Sequence, residues 1–317
     1  MLKYTVSRYN NAQRIKNNGV SYMECMENIA ASQDESALPQ RGFTLIDQRA
    51  KRGFTLIELS IVLVIIGLIV GGILVGQDMI RAAEVRATVG QIEKYNSAVN
   101  TFRTKFNGIP GDLPAATASA FGFTTRAGTA GRGDGNYLVD TTVTGLVYGQ
   151  EPALFWNDLS TANLVDGSFS GADSAAPVAV ASTTVPTVFP AAKMGRGNYF
   201  TVGSTSGLNY YFLAGISSVT VTTGSYTLTA NITPTEAYNM DNKLDDGMPV
   251  TGIVQAHAAA GTGVTTAFTD APSSAASSTA GKCLAGDAPG TATTDTYNVA
   301  LSTGGATQAC MLRFRFN

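Results

Sequence analysis

Histidine and cysteine are both scarce in this chain of 317 residues. There is one histidine, His257, and there are three cysteines, Cys25, Cys283 and Cys310. A catalytic triad would depend on His257, which has no evident acid–base partner in its Ala/Gly-rich surroundings. Neither a His-rich metal site nor a four-cysteine zinc site can be built. The sequence therefore argues against most triad-based and zinc-dependent chemistry.

Charge is also low, since charged residues make up 14% of the chain and the net charge is −2. This balance argues against nucleic acid as an electrostatic partner. The chain contains no nucleophile-elbow motif and no phosphate-binding loop. Beyond residue 114 it is rich in Gly, Thr and Ala. We therefore expect a secreted or surface-exposed, β-rich structural protein and no enzyme.

A long apolar run is the dominant feature of the sequence. Residues 59–77 carry no charge, and extending the run back to residue 54 adds only Glu58. As a helix, residues 54–76 would measure about 35 Å, which exceeds the bilayer core of about 30 Å. Arg49, Lys51 and Arg52 precede the run. The positive-inside rule then places residues 1–53 in the cytoplasm and the remainder outside.

The run allows three other interpretations. A buried core helix is disfavoured because the run is too long and too uniformly apolar. A secretory signal peptide has a shorter apolar region followed by a small-x-small cleavage site, and residues 78–81 offer none. A plain signal anchor stays open on hydropathy alone.

The residues at the start of the run read Lys51-Arg52-Gly53-Phe54-Thr55-Leu56-Ile57-Glu58. This segment resembles the class III signal of type IV pilins and type II secretion pseudopilins. The resemblance implies that a prepilin peptidase cuts between Gly53 and Phe54 on the cytoplasmic side of the membrane. It also implies that Phe54 becomes N-methylated and that Glu58 is the family's hallmark acid.

Glu58 needs a partner, because a carboxylate inside a membrane segment costs about 2.5–3.5 kcal/mol on insertion scales. Cleavage would create a cationic amine at Phe54, one helical turn away. In a filament, the amine of one subunit can neutralise Glu58 of its neighbour, which would favour assembly and fix the axial register. The alternative is an interfacial Glu58 whose side chain snorkels to the headgroups.

The leader preceding the predicted cut contains a second copy of the motif, at residues 41–47, which ends in Asp and is followed by polar residues. We interpret this copy as a decoy. Cleavage after residue 53 also removes Cys25 and leaves Cys283 and Cys310. An even number of cysteines outside the cytoplasm predicts a disulfide between them, with two free thiols as the alternative.

The pattern beyond the run predicts an α+β fold. Apolar residues recur every three or four positions to residue 106, so we expect one long helix over residues 54–107. The resemblance implies that this helix packs on the antiparallel sheet of an exoplasmic domain with long loops, residues 108–317. Within that domain we expect a short helix at 152–164 around Trp156 and strands at 198–202, 208–214 and 219–230, the last broken at Gly224. A further helix should begin at the capping box Thr233–Glu236 and end at residue 244. We also expect a half-buried strand at 310–316, with Arg313 and Arg315 facing outward.

Acidic turns offer the only candidate metal sites. Asp241, Asp245 and Asp246 carry the hard oxygen ligands that calcium prefers, and the turn at residues 134–140 is similar. The spacing is not that of an EF-hand, and acidic residues also form turns without any ion. We therefore assign no metal and no cofactor, with calcium as the alternative.

The resemblance implies a structural subunit of a type IV pilus or type II secretion filament. Its implied partners are the prepilin peptidase, other pilin or pseudopilin subunits, an inner-membrane assembly platform and the lipid bilayer. The subunit would cross the inner membrane once before it joins the filament. Residues 54–317 are long for a major pilin, so a minor pilin or adhesin is one alternative and a plain membrane-anchored binding protein is another.

Overall fold

The computed structural model describes residues 54–141, 148–174, 178–219, 226–258, 283–285, 296–300 and 308–316. Its contacts divide the chain into two units, Met1–Ile61 and Val62–Asn317. The described part of the first unit is the beginning of the first helix. The elements in chain order are α1 Leu56–Phe106, α2 Ala115–Ala120, α3 Gln150–Thr161, α4 Val185–Val188, β1 Asn198–Thr205, β2 Leu208–Val219, β3 Tyr226–Thr229, α5 Pro234–Leu244, β4 Val254–Ala258, β5 Leu284–Ala285, β6 Thr296–Tyr297 and β7 Cys310–Phe316.

Helix α1 is continuous over 51 residues, and its second half supplies one wall of the core. The apolar positions that recur every three or four residues lie on one face of a helix. All seven of them are buried: Val85, Val89, Ile92, Tyr95, Val99, Phe102 and Phe106. The predicted α+β fold, with a long N-terminal helix and an antiparallel sheet domain, is confirmed.

The main sheet is antiparallel and has the strand order β1-β2-β7-β4, while β3 pairs with the far end of β2. The first half of β2 pairs with β7, from Asn209 opposite Phe316 to Leu213 opposite Leu312. Its second half pairs with β3 across an irregularity between Ile216 and Ser218. Strands β5 and β6 form a separate two-stranded sheet. The last strand of the chain therefore lies inside the sheet rather than at its edge.

Two predicted elements have different bounds. The short helix α3 begins two residues before the predicted start and ends at Thr161, with Trp156 buried in the core as expected. Strand β2 continues to Val219, because its residues from 215 onward have β3 as a partner. The predicted strand at 219–230 is therefore represented by the end of β2 and by β3, and Gly224 lies outside the described residues.

The prediction that Arg313 faces outward is wrong. Its residue is 4% exposed, whereas Arg315 is partly exposed. Because β7 is flanked by β2 and β4, long side chains of both neighbours cover Arg313. Its Nε donates to Oε1 of Gln255 at 2.7 Å, and its guanidinium lies 4.7 Å from the centroid of the Tyr210 ring.

The capping box predicted at the start of α5 is confirmed. Thr233 and Glu236 form the predicted capping box, in which each side chain accepts a hydrogen bond from the backbone of the other residue. The Sγ atoms of Cys283 and Cys310 are bonded to each other, and their Cα atoms are 4.9 Å apart. This disulfide ties the residue before β5 to the first residue of β7.

Phe102 tests the packing of α1 on the core, because its side chain is fully buried and contacts the Phe106 and Phe123 rings. We expect Phe102→Ala to lower the free energy of unfolding by about 3–5 kcal/mol through lost contacts and a residual cavity. Urea unfolding of the purified chain measures this change. Asn100→Ala, on the exposed face of the same helix, is the control, and equal losses for both variants would contradict the packing.

Candidate functional site

The beginning of α1 is built by Thr55 and Glu58. The backbone N–H and the hydroxyl of Thr55 both donate to Oε2 of Glu58 at 2.8 Å, and the Glu58 N–H donates to Oγ1 of Thr55 at 3.3 Å. These reciprocal contacts form a capping box, which satisfies backbone donors at the helix start. The Thr-x-x-Glu spacing at residues 55–58 is the sequence signal from which this capping box can be predicted. The hallmark acid is therefore also the group that closes the first turn.

The first half of α1 exposes its apolar side chains. From Phe54 to Ile80 every large hydrophobic residue is at least 49% exposed. Within the described residues, α1 is the one helix that is long and apolar enough to cross a membrane, and none of its apolar window is buried. Large exposed apolar surfaces mark sites of contact with lipid or with other chains. This half of α1 therefore needs a partner outside the fold.

The comparisons concern this same segment. The family model described as the prokaryotic N-terminal methylation motif matches residues 48–74. The chain carries the prepilin-type signal of type IV pilins and pseudopilins. The signal supports a pilin-like or pseudopilin-type precursor that is a structural subunit, and the apolar helix fits membrane anchoring. Neither the curated proteins nor the solved structures contain a significant match to the chain.

Of the two predicted processing residues, Phe54 lies within the described part of the chain. Phe54 precedes α1 and is 84% exposed, whereas Gly53 and the decoy motif lie outside the described residues. His257 belongs to strand β4, where it pairs with Met311, and its side chain is outside the description.

A group of carboxylates, of which the sequence pattern indicates only the turn at 134–140, lies beyond the end of α1. Asp112 and Glu151 are fully buried, and one oxygen from each of Asp112, Asp134 and Glu151 lies within 4.8 Å of the others. Glu151 accepts from the N–H groups of Gly133 and Asp140 at 2.8 and 2.9 Å. Asp112 accepts from the N–H groups of residues 135 and 137. These acids hold the 133–140 loop against α3.

Burial and mutual repulsion determine the protonation of this group. Burial, followed by the charge of Asp112, raises the pKa of Glu151 to about 9. Burial also raises the pKa of Asp112 to about 6, against the lowering effect of its backbone donors. Burial also raises the pKa of Asp158, and the guanidinium of Arg126, which donates to it at 2.9 Å in a fully buried ion pair, opposes that shift.

The second acidic group, at the end of α5, is also occupied by protein donors. Asp241 accepts from the hydroxyl of Tyr297 at 2.7 Å, and burial raises its pKa to about 7. Asp245 accepts from the N–H groups of Ile253 and Val254. Asp246 accepts from a backbone N–H and a threonine hydroxyl in the same loop. These contacts account for all three acids as groups that form the loop.

Glu151 predicts a pH dependence of stability. An acid whose pKa is higher in the folded state binds its proton more tightly there, so its contribution is present at acid pH. That contribution is lost as the pH rises from the ordinary value of 4.5 through the folded-state pKa of about 9. We expect Glu151→Gln, which cannot ionise, to lose less stability between pH 5 and pH 9 than the unchanged chain.

The measurement is the urea midpoint at pH 5, 7 and 9. Glu93→Gln, at an exposed position of α1, is the matched control and should follow the unchanged chain. Identical pH profiles for all three proteins would show that Glu151 does not hold a proton in the fold.

Proposed function

We propose that this prepilin-type chain is cut between Gly53 and Phe54, N-methylated at Phe54, and assembled through α1 into a type IV pilus or type II secretion filament. The observation that carries the proposal is that the methylation motif, at residues 48–74, includes the beginning of a helix with two different halves. The first half exposes apolar side chains on all sides, and the second half buries one face in the core. A helix of this kind can leave a bilayer and pack against copies of itself.

The backbone of α1 suits both environments. An α-helix satisfies its own N–H and C=O groups, so the exposed half can lie in lipid without unpaired backbone groups. Residues 54–76 would serve as the membrane span before assembly, with residues 108–317 on the exoplasmic side. The disulfide between Cys283 and Cys310 fits that oxidising side of the membrane.

The contacts of Glu58 support its proposed role in assembly. Both donors from Thr55 go to Oε2, and within the described residues no donor contacts Oε1. One carboxylate oxygen is therefore available for the N-terminal amine of a neighbouring subunit. A charged pair inside an apolar bundle is strong, because few other groups there can satisfy either charge. Pairing would then favour one axial register over its neighbours.

Cleavage at Gly53 has a direct test. Gly53→Leu should block processing, because the peptidase would no longer find a small residue before the cut. Intact mass and N-terminal sequencing of the protein recovered from membranes measure the outcome. The unchanged chain should begin at Phe54 and carry one methyl group. Gly42→Leu, in the decoy copy of the motif, is the control and should be processed normally, whereas a start at Phe43 would contradict the assigned cut.

Glu58 is tested after processing. Glu58→Ala should be cut and methylated but should yield few or no filaments, because the N-terminal amine loses its partner. Glu58→Gln keeps the size of the side chain and should fail similarly if charge is the requirement. Sheared filaments, quantified against the processed subunit in the membrane, give the readout. Normal filament yield from either variant would refute charge pairing.

A further inference from the structure

A small pocket of about 300 Å³, lined mainly by polar and charged residues, opens between α1 and the beginning of α5. The α1 side of the pocket is formed by Gln77, Ile80, Arg81 and Glu84. Their spacing of three or four residues places them on one face of the helix. Gln77 is the first residue after the glycine that ends the apolar run, so the pocket begins where that run stops.

The position of the pocket relative to the membrane follows from helix geometry, given the membrane span of the proposed function. Residues 77–84 rise about 10 Å along the helix axis. The polar headgroup layer adds roughly 5–8 Å to each side of the hydrocarbon core. When residues 54–76 span the membrane, the part of the pocket nearest Gln77 therefore lies at the level of the outer-leaflet headgroups, and Glu84 lies at their outer boundary.

The charges in the pocket are only partly matched by one another. Arg196 donates to both carboxylate oxygens of Glu236, at 3.0 and 3.2 Å, so these two side chains are paired with each other. Glu84 lies 3.9 Å from a nitrogen of Arg196, and its side chain is 34% exposed. Arg81 is exposed and forms no ion pair with any residue in the described ranges. One cation and one carboxylate therefore retain bonding capacity on consecutive turns of α1.

We propose that this pocket binds the zwitterionic headgroup of a membrane phospholipid that carries a phosphate and a primary ammonium, as in phosphatidylethanolamine. The phosphate accepts from Arg81, and the ammonium donates to Glu84. Ile80, which is 60% exposed, contacts the glycerol end of the lipid. The two arginines and two glutamates of the pocket sum to zero charge, which matches a zwitterion. A purely anionic headgroup has no donor for Glu84, and a quaternary ammonium has no N–H to donate.

The test is native mass spectrometry of the full-length chain in detergent, with added phosphatidylethanolamine, phosphatidylglycerol or phosphatidylcholine of identical acyl chains. Phosphatidylethanolamine should be retained best. Arg81→Gln and Glu84→Gln should each weaken its binding by about fivefold, as expected for loss of one partly exposed charge contact. Arg86→Gln, at an exposed position of α1 five residues after Arg81, is the matched control and should bind normally.

Four results would overturn the proposal. One is equal retention of all three lipids, and another is equal weakening in the Arg86→Gln control. A third is preference for phosphatidylglycerol that increases in Glu84→Gln, since this would indicate attraction by net charge alone. The fourth is equally tight binding of soluble phosphoethanolamine, which would contradict a membrane source.

Membrane flotation of the same proteins separates this inference from the proposed function. A chain that does not enter bilayers contradicts the membrane span itself. A chain that enters bilayers but shows no preference for the ethanolamine headgroup contradicts only the pocket assignment.

Discussion

The fold of this chain depends first on the unbroken backbone hydrogen-bond ladder of α1. A helix is one of the few structures whose backbone groups are satisfied without water or a neighbouring chain. This property permits the residues before Gln77, among which Glu58 is the one charged residue of positions 54–76, to lie in an apolar environment. Further along the same helix, the apolar stripe from Val85 to Phe106 suits packing against the sheet, whereas the surface of the first half suits contact with lipid. The same helical backbone thus suits both environments, and only the side chains differ between the two halves of α1.

The globular part solves a different problem, since long loops contain many backbone N–H groups that no strand satisfies. Buried acids supply acceptors for them. Glu151 and Asp112 hold the loop at 133–140, Asp158 binds the N–H of Gly111 together with Arg126, and Asp241 holds the turn after α5. A chain with few charges has therefore placed several of them inside. Their burial raises the pKa values of these carboxyls, so loop structure and proton binding are linked.

In the two proposals, charged side chains at each end of the apolar run bind a partner. Glu58 lies at its beginning, and Arg81 and Glu84 lie just beyond its end. Both ends would have lipid or water as partners in the membrane and would need new partners when the subunit leaves it. Neighbouring subunits that satisfy both ends would favour extraction and would also select one register. The energetic cost of an unpaired charge in an apolar bundle would then drive specificity as well as assembly.

Several features of the chain depend on local pattern and follow directly from the order of its residues. These are the prepilin-type motif, the length of the apolar run, the helical stripe ending at Phe106, and the capping box Thr233–Glu236, because periodicity and capping act over a few residues. Long-range contacts decided the rest. Alternation alone placed Arg313 outside, but β7 pairs on both sides and the side chain lies under Gln255 and Tyr210. Glu151 and Asp112, 39 positions apart in the chain, and the pocket joining Arg81 to α5 exist only once the chain has folded, because residues so far apart in sequence meet only through tertiary packing.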